Sequence, residues 1–221
     1  MLDSTADFAG EFADVTATRS AYDDVADLYA ELFRHQLDGQ PLDRAMLGVF
    51  AELVADNGSG PVADLGCGPG RVTAHLATLD MQVFGIDLSS RMIALARAEY
   101  PHLSFDQGSL EQLPIGDGEL GGIVAWYSLI HIPPDRVPQV LDEFSRVLAG
   151  KGHLLLAFQT ADLSEAVQAF DHKVTCAYRW APKRLARLLT DAGFTMVARM
   201  VREPRPDERF GQAYLLAAKV R

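Results

Sequence analysis

Asp64-Leu-Gly66-Cys-Gly68-Pro-Gly70 is the stretch that decides the fold, because it joins the end of a predicted strand to the start of a predicted helix. Pro61, Val62 and Ala63 lead into it, and Arg71-Val-Thr-Ala-His-Leu-Ala-Thr-Leu79 leaves it with Val72, Leu76 and Leu79 at helical spacing. Glycines at such a turn permit backbone conformations closed to other residues and let a ligand approach the main chain. In doubly wound α/β sheets this is where ligands bind. The spacing then discriminates between ligands: G-x-G-x-x-G marks a dinucleotide, and G-x-x-x-x-G-K-[ST] a phosphate loop. Here Gly66, Gly68 and Gly70 read G-x-G-x-G followed by Arg71, which weakens both phosphate readings.

Outward from the turn, Met81-Gln-Val-Phe-Gly-Ile86 predicts a second strand ending in Asp87, with Ser89 placed as the N-cap of a helix carrying Met92, Ile93, Leu95 and Ala96. Further strands are predicted at His102 to Phe105, Gly122 to Trp126 and His153 to Phe158. Between the last two, Val137, Val140, Leu141, Phe144, Val147 and Leu148 follow a helical period that Gly150 is expected to stop. A helix over Ala181 to Ala192 precedes strands at 194–201 and 212–219. Two terminal strands with no helix between them predict an antiparallel hairpin closing a parallel sheet. The first 57 residues read as a cap of two helices, about 18–36 and 41–56, on a core at 58–221, the whole forming one domain.

At 221 residues and 48% hydrophobic content the chain suits one α/β domain. No apolar run approaches the ~18 residues of a membrane span, and the N-terminal stretch is acidic, so a cytoplasmic protein away from membranes is expected. Cys67 and Cys176 lack metal-ligand spacing, and no histidine-carboxylate pattern argues for a metal. The net charge of −10 disfavours nucleic acid as a partner. It is unevenly spread: residues 1–60 hold 12 acidic and 3 basic side chains, residues 173–221 hold 4 and 11. The two ends either pair with each other or leave a basic surface. Oligomeric state is not legible.

The glycine stretch, opened by the acidic Asp64, resembles motif I of the class I S-adenosylmethionine-dependent methyltransferases, written D/E-x-G-x-G-x-G. The likeness covers the chain from about Tyr22 onward, with its motifs in order across 61–158. It implies a Rossmann-like doubly wound α/β fold with a seven-stranded sheet of order 3-2-1-4-5-7-6, the last strand antiparallel, under an N-terminal helical cap. It also implies S-adenosyl-L-methionine as cofactor, S-adenosyl-L-homocysteine (SAH) as product, and a small-molecule acceptor methylated at oxygen or nitrogen. The rival readings are an NAD(P)-dependent oxidoreductase and a non-catalytic cofactor-binding scaffold of the same fold.

Residue by residue, the resemblance assigns Asp64, Gly66, Cys67, Gly68 and Gly70, with Ala125 and Trp126 at the end of the fourth strand, to the methionine half of the cofactor. Asp87, 17 residues beyond Gly70, is placed to accept ribose hydroxyls. Gln107-Gly-Ser-Leu-Glu-Gln-Leu-Pro114 resembles the stretch G-D-a-x-x-L-P, with Ser109 in place of the acid that meets adenine; the Leu110 backbone, Leu88 and Met92 complete that wall. Ala21-Tyr22-Asp-Asp-Val-Ala-Asp-Leu-Tyr29 resembles Y-D-x-x-A-x-x-Y, in which a tyrosine covers the cofactor; Tyr22 and Tyr29 also fit an ordinary buried helix stripe.

A sulfonium methyl needs alignment with its acceptor more than activation, and an acceptor bearing a proton gains from a base near neutral pKa. His131, just beyond the fourth strand, is the candidate catalytic base, with structural packing the alternative. Acceptor-binding candidates are Phe8, Phe12 and Phe33, then Tyr127 and His131, then Gln159, His172, Tyr178, Arg179 and Trp180 after the fifth strand, with Arg179 suited to an anion.

Overall fold

The computed structural model describes residues 13–58, 60–162 and 166–220. Its elements are α1 (Ala13–Phe33), α2 (Pro41–Asp56), β1 (Val62–Leu65), α3 (Arg71–Ala77), β2 (Val83–Asp87), α4 (Ser90–Glu99), β3 (Ser104–Gln107), β4 (Leu120–Trp126), a 3-10 turn (Leu129–His131), α5 (Val137–Val147), β5 (Leu148–Gln159), β6 (Val167–Asp171), β7 (Cys176–Trp180), α6 (Pro182–Asp191), β8 (Phe194–Arg202) and β9 (Gln212–Lys219). Seven strands form one sheet in the order β3-β2-β1-β4-β5-β9-β8, while β6 and β7 form a separate hairpin. With that hairpin set aside the order is the expected 3-2-1-4-5-7-6. β9 runs antiparallel between β5 and β8, as two strands without a crossover helix require.

Side chains alternate across each strand, so one strand feeds two cores. Leu154, Leu156 and Phe158 of β5, with Ala213, Leu215 and Ala217 of β9, pack with Val140, Leu141 and Phe144 of α5 and Leu185 and Leu189 of α6. The intervening Leu155, Ala157, Tyr214 and Leu216 pack on the other face with Leu47 and Phe50 of α2 and Val72 and Leu76 of α3. Both faces are covered, which is why these strands read as nearly unbroken apolar runs.

Several local expectations shift. α1 begins at Ala13 and closes at Phe33, earlier at both ends than 18–36. α5 ends at Val147, not at Gly150, because Leu148 is already extended and pairs with Leu120 at the start of β5. The β6–β7 hairpin carried no prediction. Ser89 does cap α4, accepting the Met92 N–H at 3.0 Å.

A buried polar pair ties the cap to the sheet. The Tyr214 hydroxyl donates to Asp43 of α2 at 2.5 Å, and both residues are buried. Burial pushes the Asp43 carboxyl above its usual range, and this hydrogen bond opposes the rise. Tyr214→Phe strands the carboxylate, and the expected cost is about 1–3 kcal/mol, read as a fall in Tm on thermal unfolding. An unchanged Tm would show that Arg202, 4.0 Å from Asp43, satisfies it alone.

Candidate active site

Chain order reverses between β1 and β4, which are neighbours in the sheet, and the crevice at their carboxyl ends is where such sheets take ligands. The Asp64–Gly70 turn forms one wall. Gly66, Gly68 and Gly70 have φ of +74°, +54° and +85°, a region L side chains seldom enter. A Cβ on Gly66 would lie 2.2 Å from Ser128 Cβ, where the Ser128 hydroxyl donates to the Leu65 carbonyl at 2.6 Å and clips β4 to β1. At Gly68 a Cβ would meet only Tyr29, at 4.0 Å, so this glycine turns an open backbone face to the crevice.

Asp87 closes the second wall. Its Oδ2 accepts the Gly68 N–H and its Oδ1 the Ser89 N–H, both at 2.8 Å. Burial nevertheless raises its carboxyl to about 6, against those two N–H donors. The roof is α1: Ser89 Oγ donates to Asp23 at 2.6 Å, and Arg91 pairs with Asp27 at 2.7 Å. Arg136, at the start of α5, bridges Asp14 of α1 and Glu111.

The resulting cleft, about 770 Å3 with its open mouth, is lined by ten of the predicted cofactor residues: Tyr22, Tyr29, Gly66, Gly68, Asp87, Leu88, Met92, Ser109, Leu110 and Trp126. Four others stand behind the wall. Asp64 is wholly buried, accepting the Thr73 hydroxyl at 2.6 Å; burial raises its carboxyl to about 6, and it braces α3 rather than facing a ligand. Cys67 is buried against Gly85, Gly70 against Phe105, and Ala125 lies in the core. Asp14, Glu111 and Arg136 line the cleft without having been predicted, since nothing local marks an ion pair between residues 122 apart.

His131 is held at both nitrogens. Nδ1 lies 3.2 Å from the Cys176 carbonyl, which can only accept, so Nδ1 carries the proton and the Nε2 lone pair accepts the Tyr22 hydroxyl at 2.7 Å. Burial, and then the neighbouring His172, lower its pKa to about 4. The expectation of a free base near neutral pKa therefore meets a neutral imidazole whose lone pair is engaged.

Tyr29 and Tyr127 also line a second, wider cleft of about 1410 Å3, bounded by α1, the β6–β7 turn and the 207–212 segment. Tyr127 occupies this junction at φ +58°. Two rows of rings flank the pair of clefts: Tyr22, Tyr29 and Phe33 along α1, and His131, His172, Phe170 and Phe210 opposite, with neighbouring centroids 4.5 to 6.0 Å apart. Gln159, His172 and Phe33 line the second cleft as expected of acceptor candidates. Phe8 and Phe12 lie outside the described residues.

Three acceptor candidates lie elsewhere. Trp180 is core, 1% exposed. Tyr178 lines neither cleft and packs against the core. Arg179 is no free anion partner: it grips Asp162 with two bonds of 3.0 Å, donates to Gln168 and Thr160, and stacks on Phe210 at 3.9 Å. It holds the hairpin and a ring of the second cleft in place.

Comparisons agree with this architecture. A family model described as a methyltransferase domain matches residues 62–152. An uncharacterized methyltransferase of Synechocystis sp. is 29% identical over 146 residues, covering 62% of this chain and 67% of that protein. N-demethylindolmycin N-methyltransferase of Streptomyces griseus is 33% identical over 113 residues, 49% of this chain and 47% of its own. In fold, the chain is similar to magnesium protoporphyrin IX methyltransferase from Synechocystis with SAH bound, at TM-score 0.72 and 21% identity over 93% of this chain and 99% of that one. Among the described residues no group of three or more His, Cys, Asp or Glu side chains is set to hold a metal ion, and no helix is long and apolar enough to cross a membrane.

Proposed function

Because the chain belongs to the class I S-adenosylmethionine-dependent methyltransferase family, with S-adenosylmethionine as its cofactor, we propose that it methylates oxygen or nitrogen of a small molecule seated across the two clefts. The observation that carries the reading is the open Gly68 face set beside the Asp87 carboxylate in the crevice at the β1–β4 switch. These residues fit the cofactor: a backbone without Cβ admits close approach, and each Asp87 oxygen keeps a lone pair for a ribose hydroxyl. Leu88, Met92 and Leu110 offer apolar contact for adenine. When bound, the cofactor supplies a methyl group on a sulfonium, already a good leaving group, so alignment of the acceptor dominates the rate.

In this reading His131 positions Tyr22 rather than taking the acceptor's proton. Its pKa of about 4 makes it a weak base at neutral pH, and the Tyr22 bond fixes the phenol over the crevice. Tyr22→Phe and His131→Ala are expected each to lower turnover roughly tenfold at saturating cofactor, and the double variant no further, because one bond is broken in all three. In the wild type, the His131 limb of kcat should fall near pH 4. A limb near 6.5 that His131→Asn removes would return the base role to it.

The defining experiment is transfer of radiolabelled methyl from S-adenosylmethionine into small-molecule fractions of the native cell. Label in oxygen- or nitrogen-linked methyl groups supports the reading; cofactor binding with no transfer to any fraction overturns it in favour of a scaffold.

A further inference from the structure

The second cleft contains four buried side-chain atoms without a hydrogen-bond partner among the described residues: Arg71 Nε, Gln159 Oε1, His172 Nδ1 and Gln212 Oε1. Unsatisfied buried polar atoms are uncommon in native proteins, and four in one cleft between rows of aromatic rings mark a place built for a polar ligand. Arg71 is the most telling. It follows the glycine turn as the first residue of α3, its guanidinium lies 5.8 Å from the Phe33 ring centroid, and no ion pair engages it among the described residues. The other guanidinium groups of the cleft are occupied: Arg202 is paired with Glu208, and Arg209 donates to the Asp171 carbonyl and stacks on Phe210.

Resting on the methyltransferase reading, we propose that the second cleft binds the acceptor as an aromatic carboxylic acid, its ring between Phe33 and Phe170 and its carboxylate on Arg71. The methylated oxygen or nitrogen belongs to another part of the same molecule, reaching past Tyr29 and Tyr127 into the first cleft. Gln159 Oε1 is an acceptor for an N–H or O–H that such a molecule brings. A singly charged acid is favoured over a phosphate. One free guanidinium serves a carboxylate well, whereas a dianion calls for a second cation, and the remaining one of the lining, Lys173, stands exposed at the rim beside Asp171.

The test uses 1-naphthoate, its uncharged primary amide and 1-naphthyl phosphate, titrated by calorimetry into the 221-residue chain with and without SAH. Naphthoate should bind at least tenfold more tightly than the amide and no more weakly than the phosphate. Arg71→Gln should bring acid and amide level, while Arg71→Lys keeps part of the preference. Equal binding of acid and amide, a preference that survives Arg71→Gln, tighter binding of the phosphate, or no binding of any probe would each overturn the assignment. SAH titrated alone keeps the two readings apart: loss of SAH binding rejects the methyltransferase reading, whereas acid discrimination is read in the cofactor-free protein as well. Unchanged SAH affinity of Arg71→Gln shows that the variant is folded.

Discussion

Gly68→Val is expected to abolish binding of S-adenosylmethionine and SAH, with an affinity loss above a hundredfold, while the chain remains folded. Gly66→Ala is expected to do the reverse, damaging the fold before the site. Both glycines sit in the left-handed region, so any side chain costs about 1–2 kcal/mol there, and a β-branched one more. What separates them is the space beyond. A Cβ at Gly68 has only Tyr29 within 4.0 Å and projects into the cleft, where it competes with the ligand rather than with protein. At Gly66 it would lie 2.2 Å from Ser128 Cβ, which no rotamer relieves, and parting the two would break the clip to the Leu65 carbonyl. An additional cost of several kcal/mol follows, on the scale of severe overpacking. Calorimetry with SAH and thermal unfolding on both variants, with Gly68→Ala as a milder step of roughly tenfold, check the contrast. Wild-type affinity in Gly68→Val, or wild-type stability in Gly66→Ala, would refute it.

This contrast also marks how far the sequence could be read. Three glycines in one turn were legible as a ligand-binding strand-to-helix junction, and Asp87 at the end of the second strand as its partner, because both signals are local. The separate tasks of Gly66 and Gly68 were not, since they depend on Ser128 and Tyr29, which meet the turn only in the folded chain. The antiparallel closing hairpin was legible from the missing helix between the last two strands, and the strand order only through the family resemblance. β6 and β7 were not: their residues are mostly half-exposed, Pro and a clear turn dipeptide are absent between them, and Lys173 alone takes the left-handed turn position. That hairpin then redirects Arg179 and Trp180 into structure, where an aromatic and basic stretch had suggested recognition. Likewise His131 was visible as a histidine near the site, but its Tyr22 partner stands 109 residues away, and the bond between them changes the chemistry available to it.

Asp87→Asn should weaken the cofactor by roughly a hundredfold or more and remove a pH dependence that the wild type shows. Both carboxylate oxygens already accept main-chain N–H groups, from Gly68 and from Ser89. An asparagine has one acceptor oxygen, so its NH2 must face one of those donors, and either the glycine turn or the start of α4 loses its anchor. Two charge-assisted hydrogen bonds to ribose hydroxyls are weakened at the same time, at roughly 1.5 kcal/mol or more each. For the pH effect, the folded carboxyl titrates at about 6, above its ordinary 3.8. The Asp87 contribution to the stability of the cofactor-free protein is therefore greatest when it is protonated and declines as pH rises through about 6. Cofactor affinity moves the other way, because the ionised form is the stronger ribose acceptor: it should hold steady above pH 7 and fall as pH drops through 6. SAH titrations at pH 5, 6, 7 and 8 read the profile directly. If Asp87→Asn keeps the acid limb, another group is responsible for it; if the wild type shows no limb near 6, Asp87 does not carry the ribose in its ionised form.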